Sequence, residues 1–339
     1  MKTVSQDETA AAEMRSKLVG GLDRTAIGSI LGTASAAIYT CSNICLRSVA
    51  HCDAFWVACM KAAPTLVVAA VLVGIRVARG GRLWLTPRIV AALIGTGLLG
   101  QLAGNVAFQY ALQGVGLALA VPLTLGTIII GGALLGRFWL GESVTGRMLL
   151  AMVLLLVAIP ILSQGAEKER EEVDAGVTEL NAAEIDAVPV LMGIGVACLA
   201  GFAYAWQGAV LRRMAISQTP HSATLLVLSA TGVVALGSLS LLRIGWSGML
   251  ATAPADFERM VWAGLFNALG FFLLTKALER ITVVHVNAVN ASQAAMAALA
   301  GVIFFHEQAT LWMALGVGLT VAALLLIDRG KKPVNVDEP

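Results

Sequence analysis

The sequence predicts an all-α integral membrane protein: ten transmembrane helices arranged as two inverted-topology five-helix repeats. Three observations lead there. The apolar runs are longer than a soluble core needs, since a helix crossing about 30 Å of hydrocarbon at ~1.5 Å per residue takes roughly 20 apolar residues. The stretch 117–135 carries no charge, and over the 339 residues hydrophobic types make up 58% against 13% charged. Lys and Arg alternate sides along the chain, and a hairpin of apolar segments closed by a glutamate, 105–142, is repeated in other words at 267–307.

Taken in order, residues 1–25 are polar and of mixed charge and read as a cytoplasmic tail. The apolar run that follows is too long for a signal-peptide core and reads as a retained first helix. Charges and turn residues then divide the chain into spans at about 26–49, 54–76, 88–112, 115–138 and 146–163, and again at 188–211, 221–243, 258–278, 282–305 and 309–327. The expected units are a first five-helix repeat at 26–163, an acidic external linker at 164–187, a second repeat at 188–327 and a cytoplasmic tail at 328–339. Eight carboxylates against Lys168 and Arg170 make the linker a solvated connection, with a cation-collecting surface as the sharper alternative. The cysteines, Cys41, Cys45, Cys52, Cys59 and Cys198, show no paired spacing and read as small apolar residues; no metal and no cofactor is expected.

With the N-terminus inside, 17 of the 23 basic residues fall on cytoplasmic segments and five on external ones, which puts both termini in the cytoplasm of a cell (inner) membrane protein. The halves superpose: Tyr39 with Tyr204 and Leu46-Arg47 with Leu211-Arg212 at an offset of 165, Ala111-Leu112 with Ala277-Leu278 at 166, Glu142 with Glu307 and Thr145 with Thr310 at 165. Because each unit has an odd number of spans, the second copy enters from the opposite side. Such repeats place a binding site near the midplane and work by alternating access.

The motif Tyr110-Ala111-Leu112 with its counterpart Lys276-Ala277-Leu278, the short turn into a small-residue span, and the closing glutamates Glu142 and Glu307 resemble the drug/metabolite transporter superfamily, in its EamA-type permease branch. The resemblance runs over about 26–327. It implies a secondary transporter of small metabolites, working outward. Many members carry an arginine about two turns into the second span where this chain has Lys61, and the acidic insert is longer than the family's usual central loop.

The candidate substrate-binding residues are polar groups inside spans. An intramembrane lysine costs roughly 2.5–3.5 kcal/mol on insertion scales, so Lys61 reads as a site or gate residue that hints at an anionic group on the substrate, or as an anchor snorkelling toward Asp53. The ninth span carries His285, Asn287, Asn290 and Gln293. Steps of three, four and seven put Asn290 and Gln293, with Asn287 beside them, on or near one helical face, which reads as a substrate-facing row or as interhelical glue. His285 by itself reads as a satisfied packing residue or as a group that titrates near neutral pH. Gln101, Asn105 and Gln109 recur every four residues in the third span, with Asn267 their counterpart in the eighth and Thr124 and Thr127 as neighbours. Tyr39 and Asn43 match Tyr204 and Gln207 in height on spans one and six, where an aromatic ring with a polar tip can stack on a flat substrate. Glu142 and Glu307 read as hairpin caps. The expected partners are a small-molecule substrate and the lipid bilayer, without nucleic acid, for a monomer or homodimer. No catalytic motif stands in a helical context that would make it chemistry, so the chain is read as a permease rather than an enzyme. A channel or scaffold, or an intramembrane enzyme, are the rival classes.

Overall fold

The computed structural model describes residues 4–81, 85–158, 161, 190–305 and 311–328, and every regular element among them is helical. Among the described residues, eight helical stretches are long and apolar enough to cross a membrane. The fifth and tenth expected spans coincide with shorter apolar helices, Gly146–Ala158 and Ala314–Ala323. The linker 164–187, the C-terminal tail and Glu307 lie outside the described residues.

Helix α1 (Val4–Ser48) starts well before the expected first span, because Ala, Glu, Met, Lys and Arg in its leading segment are strong helix formers; only Arg24–Ser48 is apolar enough to span. Helix α2 (Ala54–Ala78) begins where the Asp53 carboxylate accepts from the N–H groups of Phe55 and Trp56, both at 3.0 Å. Helix α3 (Pro87–Leu99) opens with the Thr86 hydroxyl as its cap and proline at N1, then runs into a π-helical turn, Gly100–Val106, and on into α4 (Ala107–Phe138). The expected break between the third and fourth spans narrows to one residue, Gly116, whose φ of 72° a residue with a Cβ rarely adopts.

Helix α5 is Gly146–Ala158. The second half supplies α6 (Val190–Ile216), α7 (His221–Leu250, broken at Gly245) and α8 (Pro254–Leu278). The ninth span is two helices, α9 (Val283–Asn290) and α10 (Ser292–Phe305), meeting at Ala291, and α11 (Leu311–Asp328) follows.

The helices pack across the halves. α1 lies on α8, and α6 lies on α4 and the π-helical turn; α2 lies on α7 and α8, α3 on α7, and α9 touches both α1 and α4. Small residues permit this closeness: a Cβ on Gly264 would stand 2.6 Å from the Met60 carbonyl, and one on Gly201 would stand 2.5 Å from the Thr124 carbonyl. Buried hydroxyls add ties, Ser35 and Ser42 each donating to an α8 carbonyl, of Gly270 and Ala263, at 2.8 Å. The outward faces carry the opposite chemistry. Val67, Val71, Leu150 and Leu242 are all at least half exposed, an apolar belt that only lipid can cover.

Candidate functional site

Between these crossed pairs lies a partly open cavity of about 1100 Å³ of non-protein space, the adjoining open solvent included. Its walls come from α1, α2, the π-helical turn, α4, α6, α7, α8, α9 and α10. Both halves of the chain therefore contribute.

One wall is built around Lys61, which is only 7% exposed. Its ammonium donates to Asn105 Oδ1 at 2.8 Å, the Tyr204 hydroxyl donates to the same oxygen at 2.6 Å, and Asn105 Nδ2 donates to Gln101 Oε1 at 2.6 Å. The ammonium also stands 5.8 Å from the Phe108 ring centroid and 5.9 Å from that of Tyr204, within cation–π range. Among the described residues no carboxylate lies within 4.0 Å of it. The lysine is oriented toward a network of neutral groups and has no countercharge there.

The π-helical turn carries Gln101 and Asn105 of this wall. Gln101 and Asn105 line the cavity, while Gln109 turns away and donates to the Leu46 carbonyl at 3.4 Å. Two glycines make room for the rings. A Cβ on Gly104 would come 2.9 Å from the Tyr204 ring, and one on Gly270 would come 3.2 Å from that of Tyr39.

The other wall is the broken ninth span. Asn287, Asn290 and Gln293 line the cavity on either side of Ala291. Asn287 donates to the Ile128 carbonyl at 3.4 Å, whereas Asn290 Oδ1, in a residue 8% exposed, accepts no hydrogen bond among the described residues. Tyr39, Asn43, Thr124, Gln207 and Asn267 complete the polar lining, Asn267 donating to Thr65 Oγ1 at 3.4 Å.

Two expected residues stand outside the lining. Thr127 donates to the Leu123 carbonyl at 2.9 Å within its own helix and packs its Cβ against Gly201, so it belongs to the α4–α6 contact. His285 Nε2 lies 3.1 Å from Ser29 Oγ and ties α9 to α1. Conversely, Thr65, Phe108, Ser229 and Phe271 line the cavity without having been singled out. Thr65 was legible, one helical turn beyond Lys61 on the same face; the phenylalanines gave no signal distinct from ordinary core residues.

Outside the lining, arginines occupy matching points of the two halves. Arg47 Nη1 donates to the Leu112 carbonyl at 3.4 Å, and Arg212 Nη1 donates to the Leu278 carbonyl at 2.6 Å. Arg212 Nε also reaches Glu142 Oε1 at 3.1 Å, and Glu142 Oε2 accepts from the Val283 N–H at 3.0 Å, capping α9. Burial pushes the Glu142 carboxyl above the usual carboxylate range, against the pull of the Arg212 guanidinium. The cap expected at Glu142 is thus present and holds four helices' ends together. Among the described residues, His51, Cys52 and Asp256 could bring three ligand atoms to one metal ion, but they lie outside the cavity lining and Asp256 already pairs with Arg259 at 3.0 Å.

Residues 191–328 match the family model of the EamA-like transporter family. No curated protein matches the chain in sequence. A protein of known crystal structure superposes with a TM-score of 0.65 at 15% identity, over 88% of this chain and 97% of its own, a likeness of fold alone. Residues 191–328 thus resemble an EamA-like transporter unit, in a chain whose described residues include eight helices long and apolar enough to cross a membrane.

Proposed function

We propose that the protein is a secondary transporter that moves a small polar or amphipathic metabolite through this cavity by alternating access, as an exporter of the cell (inner) membrane with both termini cytoplasmic. The observation that carries the reading is the cavity itself: a polar chamber amid lipid-facing helices, walled by both halves, with a buried lysine at its side. Buried amides and a lysine are costly in an apolar setting unless they serve a ligand or each other.

Ten spans in two inverted repeats account best for the packing. If spans one to five correspond to six to ten, the contact of α1 with α8 should return as α6 with the third span, α2 with α8 as α3 with α7, and α1 with α9 as α4 with α6, and all are present. Side chains follow the same exchange. Tyr39 rests on Gly270 as Tyr204 rests on Gly104, and Arg47 binds the Leu112 carbonyl as Arg212 binds that of Leu278. A two-fold relation in the membrane plane is what lets one chain present near-equivalent inward- and outward-facing states. The domain bounds proposed are 26–163 and 188–327, joined by the linker 164–187. The substrate-binding set is the twelve expected residues that line the cavity.

The test is release from proteoliposomes loaded with a cell extract of polar metabolites. The reading predicts that mass spectrometry finds one class of compounds lost faster than from protein-free vesicles, with a rate that saturates. No protein-dependent loss, or loss that rises linearly with concentration as through a channel, would overturn it.

A further inference from the structure

We infer that the cavity binds a small amphipathic monoanion, with a carboxylate-type group at Lys61, a hydrogen-bond donor at Asn290 Oδ1 and an apolar body between them. The inference rests on the transport reading above and names the substrate class of that same site. Three features of the lining carry it.

The first is the isolated charge. Lys61 is 7% exposed and spends one of its three N–H donors on a neutral amide oxygen at 2.8 Å, with no carboxylate within 4.0 Å among the described residues. A buried ammonium is stabilised strongly by a partner of opposite charge and poorly by amides alone. Here that partner has to come from the ligand. One positive charge neutralises one negative charge, so a dianion would carry an uncompensated charge into the cavity, and an amine would be repelled from this wall.

The second feature sits on the broken ninth span. Asn290 lines the same cavity, is 8% exposed, and its Oδ1 accepts nothing among the described residues. Leaving a buried acceptor unmade costs about 1–3 kcal/mol, which a ligand O–H or N–H would recover. The third is the apolar share of the same lining: Leu125, Ile128, Phe271, Leu274 and Val286 offer a ligand apolar contact, and the rings of Tyr39 and Tyr204 add flat faces. The lining therefore asks for charge at one wall, a donor at the other, and hydrocarbon or an aromatic ring in the middle.

The experiment uses probes with one skeleton and three head groups: 4-hydroxyphenylacetate, the neutral alcohol tyrosol and the cationic tyramine, with phenylacetate lacking the donor, alongside a size series of aliphatic monocarboxylates. Binding is read by thermal stabilisation of the purified full chain in detergent, and exchange by counterflow in proteoliposomes. The expected result is stabilisation by monocarboxylates and by neither tyrosol nor tyramine. Affinity should fall at least tenfold in Lys61→Gln and be retained within a few-fold in Lys61→Arg, which controls for folding. 4-Hydroxyphenylacetate should bind several-fold more tightly than phenylacetate, a difference that Asn290→Leu abolishes. Tyramine or tyrosol binding as well as the acid, an unaffected Lys61→Gln, or silence from every monocarboxylate would overturn the inference. Anion binding without counterflow leaves the site standing and overturns transport; saturable counterflow of neutral or cationic compounds unaffected by Lys61→Gln does the reverse.

Discussion

The two walls of the cavity are built on opposite principles. On the lysine wall, Lys61, Asn105, Gln101 and Tyr204 bind one another at 2.6–2.8 Å, so their geometry is fixed before any ligand arrives. On the α9–α10 wall the helix is interrupted at Ala291, and beside the interruption Asn290 Oδ1 and Ser292 Oγ are buried without hydrogen-bond partners among the described residues. The first wall holds a charge in place. The second keeps acceptor capacity in reserve next to a point where the backbone already departs from one continuous helix. The difference indicates which wall recognises and which can yield: a connected network resists deformation, while a broken helix beside unpaired side-chain groups can move at lower cost.

Several variants sharpen or break that contrast. The largest effect belongs to Lys61→Gln, which should abolish anion binding while leaving thermal stability unchanged or raised, because a buried unpaired charge is removed; a melting scan and a binding titration separate the two. Asn105→Leu comes next. It strips Lys61 Nζ, Tyr204 OH and Gln101 Oε1 of their shared partner and should destabilise the fold by about 1–3 kcal/mol, read by chemical denaturation. The equivalent change on the other wall, Asn290→Leu, removes an acceptor that binds nothing and should cost less than about 1 kcal/mol or stabilise slightly. If Asn290→Leu destabilises as much as Asn105→Leu, the two walls do not differ as described. Smallest is His285→Gln: its ring meets Ser29 outside the lining, so transport rates should stay within about two-fold of wild type while stability drops by about 0.5–1.5 kcal/mol.

How much of this could be read from the chain alone follows the strength of each physical signal. Span positions were legible because water excludes nothing so firmly as long apolar runs, and α2 and α8 start and end within four residues of the expected bounds. The offset of 165 between Arg47 and Arg212 pointed to matching roles, and both guanidiniums bind a carbonyl of the residue pair Leu112 and Leu278. Polar residues inside spans announced the cavity, since twelve of the expected residues line it. Local backbone departures were not legible. Nothing in Gly100–Val106 marks a π-helical turn, and nothing in the spacing separates Gln109, which donates to the Leu46 carbonyl, from Gln101 and Asn105, which line the cavity. The break at Ala291 likewise follows no proline or glycine. Thr127 and His285 lie outside the lining for a different reason: side chains of ordinary polarity satisfy themselves locally, Thr127 on Leu123 and His285 on Ser29, and one-dimensional spacing cannot separate a lining face from a packing face one position round.

The central claim, that the lysine wall receives the charged end of a transported molecule, is tested most directly by a structure of the protein with a brominated monocarboxylate such as 3-bromo-4-hydroxyphenylacetate. The account predicts the carboxylate within hydrogen-bond distance of Lys61 Nζ and the bromine, located by its anomalous signal, among the apolar residues between the walls. Density for the compound elsewhere, or a carboxylate turned away from Lys61, would contradict it.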